Sequence, residues 1–378
     1  MRDLRSVATL FWATFVSLCL LGCNPTQVAF QETDAEILST WGLMRSDGEH
    51  LSLSEDVIPY QLNSALFTDY AHKLRTVTLP EGFKATANED GSINFPVGTI
   101  ISKTFFYPRS AAQLLKTDDN GAYFDSAIGS QGGLELSRVA LIETRLLVHR
   151  QNGWVALPYV WNEAQTEATL EITGDAKSLS IKDEVRRYDF TYIVPDKNQC
   201  AGCHATNATS REIGPIGPRI HNLNRTYDYQ STAINQLDYW HDIGMLALDT
   251  PPEELPAMVN WADASLDVES RARAYLDVNC GHCHNEKGSA DTSGLFLDSK
   301  TDNQTRLGVC KLPIAAGQGT GGNKFSIVPG KPADSILVYR MKSVDPGAMM
   351  PELGRSLAHS EGIGLIEDWV ASLPGECD

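Results

Sequence analysis

The hydrophobic pattern of the chain changes period twice. Residues 7–21 form one mostly apolar run. From about residue 60 to 194 the apolar positions come in short runs that alternate or are rich in β-branched and aromatic residues, at 77–79, 98–107, 141–148, 154–161, 168–172 and 188–194. Such runs predict strands. Pro80-Glu81-Gly82 and Pro108 read as stops, and the polar, glycine-rich stretch 116–133 reads as a loop. After Pro251-Pro252-Glu253-Glu254-Leu255-Pro256 the period becomes helical. Val268, Ala272, Tyr275, Leu276 and Asn279 share one helix face, and Ile363, Ile366, Trp369, Val370 and Leu373 share another. Shorter helices are predicted through Ile37, Leu38, Trp41 and Leu43, and through 234–248. The predicted class is α+β and multidomain, an antiparallel β-rich domain followed by a mainly α-helical one.

The first run is short for a transmembrane helix, which needs about 20 apolar residues. With Arg2 and Arg5 before it, it reads as an export leader over residues 1–22. Leu20-Leu21-Gly22-Cys23 resembles a bacterial lipobox, which implies a lipid on Cys23 and a membrane anchor at the mature N-terminus. Asn24 differs from the aspartate that resembles an inner-membrane retention signal, so the expected address is the outer membrane, facing the periplasm or the cell surface. Residues 23–54 then read as a tether.

Two copies of one motif carry the chemistry: Cys200-Ala201-Gly202-Cys203-His204 and Cys280-Gly281-His282-Cys283-His284. Cysteines three apart on a helical turn share a face, so both sulfurs can bond one edge of a haem while the next residue, histidine, reaches its iron. A zinc knuckle or redox dithiol also uses this spacing, but zinc would need four ligands gathered from pentads eighty residues apart. The expected cofactors are two covalently bound haem c groups, held by Cys200, Cys203 and His204 and by Cys280, Cys283 and His284. Cys310 and Cys377 remain as an even pair in an exported chain, and a disulfide between them is expected.

A helix that enters Cys-X-X-Cys-His and a closing helix with an inward aromatic resemble class I cytochromes c over residues 265–375. That family places a methionine before proline on the far side of the haem, and Met349-Met350-Pro351 matches it, so the resemblance implies Met350 as sixth ligand of the second iron. For the first iron no ligand stands out. His221 and Met245 lead; His241, Met258, His72 and His149 are further candidates. The β region running into the first pentad resembles the lysine-cross-linked c-type cytochromes and cytochromes c′-β, which implies a haem with an open upper face. Within the matching phrase 95–103, Lys103 reads as a surface lysine. The phrases 60–71 and 157–163, with both pentads and 349–355, resemble a family of bacterial dihaem c-type cytochromes. The dihaem peroxidases fit less well, because their first motif lies near the N-terminus with no β domain before it.

The expected organisation is a leader (1–22), a tether (23–54), a β-rich domain (55–199), a first haem-binding segment (200–262) and a cytochrome c domain (263–378). A net charge of −17 disfavours nucleic acid and anionic lipid surfaces and suits a redox partner with a basic docking face. Two functions follow: electron transfer between partner proteins, or a peroxidase-like or small-nitrogen-compound oxidoreductase with an open first haem. Electron transfer is favoured, because Met350 supports it and no catalytic acid or base stands out.

Overall fold

The computed structural model describes residues 28–117, 133–205, 207–229, 232–314 and 316–378. The leader, Cys23 and most of the predicted 116–133 loop lie outside the described residues. Six long strands carry the fold: β1 (His72–Thr78), β2 (Ile100–Ser110), β3 (Val139–Arg150), β4 (Gly153–Trp161), β5 (Asp175–Lys182) and β6 (Arg187–Val194). β1, β2, β3 and β4 pair antiparallel in that order. The short strand Gln113–Leu115 links the end of β2 to β5, which pairs with β6. Together with short outer strands they form one nine-stranded sheet. A register shift between Leu141 and Glu143 marks a bulge in β3, and bulges bend a strand and increase its twist. Pro108 does not stop β2, which runs on to Ser110.

β2 lacks clean alternation because both its faces are covered. Ile100 and Phe106 pack with Leu146, Val148 and Leu157 in one core, and Ile101 packs with Leu147 and Val77 in another. The stretch expected to be a tether belongs to the first core, with Leu38, Trp41, Leu43 and Leu51 all buried. The Trp41 indole donates to the Tyr159 hydroxyl at 2.8 Å.

The helices are α1 (Lys197–His204), α2 (Gln236–Asp242), α3 (Val268–Leu276), α4 (Ile336–Lys342) and α5 (Ser360–Ser372), with single turns at Ile220–Leu223 and Gln304–Leu307. The expectation of a mainly α-helical cytochrome c domain is overturned: strand accounts for 29% and helix for 22% of the described residues, arranged around a curled half-barrel sheet. In the C-terminal part, helices of nine, seven and thirteen residues are set among long turns rich in glycine and proline. The periodicity located α3 and α5, but the intervening chain carries too many Gly, Pro, Asp and Asn residues to extend them.

α3 and α5 cross at Gly362, which lies against the Tyr275 ring, and their apolar faces join Trp261, Leu337 and Val338 in a third core. A disulfide joins Cys310 to Cys377, with Cα atoms 5.2 Å apart and a sequence separation of 67 residues. Closing a loop of that length stabilises by about 4 kcal/mol in the chain-entropy account. The double variant Cys310→Ser/Cys377→Ser is therefore expected to lose roughly 3–4 kcal/mol in denaturant unfolding, and a loss under about 1 kcal/mol would refute this.

The sheet and the C-terminal part are joined through Asp69, which is 2% exposed. Its carboxylate accepts from Ser356 N at 2.8 Å and from Leu357 N at 2.7 Å. Burial outweighs these bonds and pushes its pKa up to about 6. A carboxyl raised in the folded state contributes most below its unfolded value near 4, and that contribution is lost as pH rises through 6. Asp69→Asn stays neutral, so its stability relative to the wild type should improve between pH 4 and 7, by up to roughly 3 kcal/mol. Denaturant midpoints measured across that range check this, and a constant difference would rule it out.

Candidate functional site

The first pentad is delivered by a capped helix. β6 ends at Val194, Pro195 breaks the strand, and the Asp196 side chain accepts from Asn198 N and Gln199 N, each at 2.7 Å. Gln199 returns a bond to Asp196 N at 3.0 Å, completing a capping box that starts α1 one turn before Cys200. His204 closes the helix, and its Nδ1–H donates to the Gly214 carbonyl at 2.9 Å, leaving Nε2 as the ring's acceptor. Burial, and then the Lys103 cation, hold this imidazole neutral, with its pKa down at about 3. Pro215, Ile216, Gly217 and Pro218 follow and line the same space as the pentad.

The second pentad follows α3, whose cap Asp267 accepts from Ser270 N at 2.8 Å. The helix then widens into a π turn, Asp277–Gly281, of the kind frequent at functional sites. Asn279 fixes that turn to the β region, accepting from Phe67 N and donating to the Tyr275 carbonyl, each at 2.9 Å. A Cβ at Gly281 would lie 2.9 Å from Asp298 Cα, so this place in the motif accepts only glycine without backbone movement. His284 Nδ1–H donates to the Leu295 carbonyl at 3.2 Å, and burial lowers the pKa of this ring too.

Both pentads open on one cavity. Cys200, Cys203, His204, Cys280 and His282 line it; Cys283 and His284 do not. The Cys203 and Cys283 thiols nevertheless share a hydrogen bond, which holds Cys203 in its thiol form well above the usual range. Cys283 Sγ also lies 3.9 Å from the Gly202 carbonyl.

Met350 lines the same cavity as the second pentad. Its N–H donates to the Arg340 carbonyl at 3.0 Å, and Arg355 clamps the loop by donating to the carbonyls of Met350 at 2.9 Å and Ser343 at 2.8 Å. Met350 lines the cavity, whereas Met349 is buried away from it. Of the residues considered for the first iron, only His221 reaches the cavity, and its Nε2 lies 3.5 Å from the Asp277 carboxylate. Met245 packs in the core with Leu237, Trp240 and Leu246. His149 donates to the Phe95 carbonyl at 2.9 Å and stacks on Trp154, and His72, His241 and Met258 are likewise off the lining.

Lys103 is not a surface lysine. It is half-buried in the cavity wall, where burial, and then Arg145 and Arg75, pull its amine down to about 7. Sequence reasoning also missed His359, which is 4% exposed, stacked on Phe67 at 4.0 Å and bonded to the Tyr275 hydroxyl at 3.0 Å on the same lining. A signal for Lys103 existed: a lone charge in the middle of the apolar run 98–107 must face either water or a purpose.

Among the described residues no group of three or more His, Cys, Asp or Glu side chains is placed to hold a bare metal ion. A haem iron takes four nitrogens from its ring and asks one or two ligands of the protein, and the residues present suit it. They offer paired thiols one turn apart, neutral imidazoles with oriented Nδ1–H groups, a thioether across the space, and basic side chains on the walls for the ring's carboxylates. Among the described residues no helix is long and apolar enough to cross a membrane. Comparison of the chain with protein-family models, with curated proteins and with solved structures finds no match.

Proposed function

We propose that this chain is an exported c-type cytochrome with two haems in one shared cavity, acting as an electron carrier between redox partner proteins. The observation that carries the reading is the meeting of the two pentads. Cys203 and Cys283, eighty residues apart, touch, and Cys203 lines the cavity together with Cys200, His204, Cys280 and Met350. Groups tethered to both pairs of thiols would lie side by side, as a relay needs. Haem c supplies one-electron exchange when bound. The chain's own residues do the rest: His204 and His284 present neutral nitrogens fixed by the Gly214 and Leu295 carbonyls, and Met350 offers sulfur from a loop locked by Arg355. Apolar side chains such as Leu146, Leu147 and Ile101 keep water from the space between. Lipid attachment at Cys23 would hold the carrier at the outer membrane.

Haem quantification on the denatured, full-length protein tests this directly. Two covalent haems per chain are expected, and one or none would overturn it. A second reading, an oxidoreductase with an open first haem, is favoured by the single observation that of the sixth ligands expected from the sequence only His221, already paired with Asp277, reaches the cavity. Electron paramagnetic resonance of the ferric protein separates the two: two low-spin signals support the relay, and a high-spin signal supports the enzyme.

A further inference from the structure

The cavity's charge is opposite to that of the chain. The protein carries a net −17, yet six cationic side chains (Lys73, Arg75, Lys103, Arg145, Arg219 and Arg355) line the cavity against one carboxylate, Asp277. Three of the six are in direct cross-strand register: Lys103 of β2 sits opposite Arg75 of β1 on one side and Arg145 of β3 on the other. They form a row across one face of the sheet, next to the apolar row Val77, Ile101 and Leu147. The neighbouring row holds Lys73, Phe105 and Glu143, and the Phe105 ring is contacted by Arg145 at 4.3 Å, Lys103 at 5.2 Å and Lys73 at 5.7 Å.

Like charges directly opposite one another on a sheet destabilise it, and burial raises the cost. Glu143 forms an ion pair with only one of the three. It holds Arg145 in a two-bond pair at 2.8 and 2.5 Å and also accepts from the Tyr192 hydroxyl at 2.6 Å. Among the described residues neither Arg75 nor Lys103 belongs to an ion pair, and the one hydrogen bond of the Arg75 guanidinium goes to the Lys73 carbonyl at 3.4 Å. Two adjacent, half-buried or buried cations facing an open cavity are a receptor for negative charge.

We infer that the Arg75, Lys103 and Arg145 row is an anion site beside the first pentad, built for a carboxylate or a small oxyanion. Two sources share that chemistry: the carboxylates of a group bound in the cavity, and a free anion from solution. The row itself rests on the sheet register alone. The identification of the first source rests on the proposed haem, so a chain found to hold no haem would leave the free-anion arm intact.

The test is made on the full, as-purified protein. Calorimetric titration with inorganic phosphate and with acetate, at constant ionic strength, is expected to show saturable binding if the free anion is the ligand. Lys103→Met and Arg75→Met should weaken it at least tenfold, and Lys103→Arg should restore it. If the bound group's carboxylates fill the row, added anions show no binding to the wild type. Infrared difference spectra then show the carboxylate stretch shifted in Lys103→Met and unshifted in Lys103→Arg. Should Lys103→Met fail to fold, titration of the wild type over a range of chloride concentrations replaces it, and the apparent affinity must fall as chloride rises. Absence of both free-anion binding and a carboxylate shift, or equal binding by all variants, overturns the inference.

Discussion

Gly362→Val is expected to destabilise the C-terminal part strongly, with a loss of about 3 kcal/mol or more. A Cβ at position 362 would stand 2.3 Å from the Tyr275 ring, and real side chains do not approach so closely. The ring cannot yield. Trp261 meets it edge-on at 5.3 Å, and its hydroxyl is held by His359 at 3.0 Å. The crossing of α3 and α5 must therefore open, and the cavity lining contributed by Tyr275, His359 and Ile363 moves with it. Gly364, two residues on in the same helix, is the control. A Cβ there meets nothing within 4 Å, so Gly364→Ala should be neutral or gain up to about 1 kcal/mol through helix propensity. Denaturant midpoints of the two variants decide the matter, and similar values would refute the packing account.

On the proposed two-haem reading, Met350→Ala is expected to abolish the Met/His low-spin signature of one haem and to lower its midpoint potential by on the order of 0.1 V or more, within the roughly 0.8 V that axial ligands command. Met349→Ala should leave that signature in place, since Met349 faces the core and only Met350 lines the cavity. The pair of variants separates ligation from packing, because both remove a methionine from the same loop. If Met349→Ala, and not Met350→Ala, removed the signature, the ligand assignment would be reversed. Met341 also lines the cavity and is the next position to test if neither does.

Local signals made much of this legible in advance. The strands from 98 to 194 were marked by β-branched and aromatic runs, α3 and α5 by their apolar stripes, and the pentads by spacing alone. What stayed hidden was long-range. Nothing in the sequence says that residue 69 will cap residues 356 and 357, or that the helix after Asp267 will widen into a π turn at Asp277. β5 escaped notice because its burial is shallow and Lys177, Ser178 and Ser180 interrupt the apolar pattern. The two end helices of the C-terminal part are legible from their apolar stripes, whereas the overall balance of helix and strand depends on long-range pairing that no local stripe carries. Lys103 was misplaced because a single charge was weighed by residue type, without its cross-strand neighbours.

The cavity's walls come from residues 60–75, 101–103, 145–147, 195–222, 275–282 and 341–363, and one of its fastenings spans 287 positions, from Asp69 to Ser356. Contacts between such distant parts of a chain are among the last to form. On the proposed haem reading, a ring joined to Cys200 and Cys203 before those contacts form would meet an open strand and helix while the C-terminal third is still unplaced. Once Asp69 fastens the two parts together, the cavity is walled by both. On that reading the order of assembly would be loading first and closure afterwards.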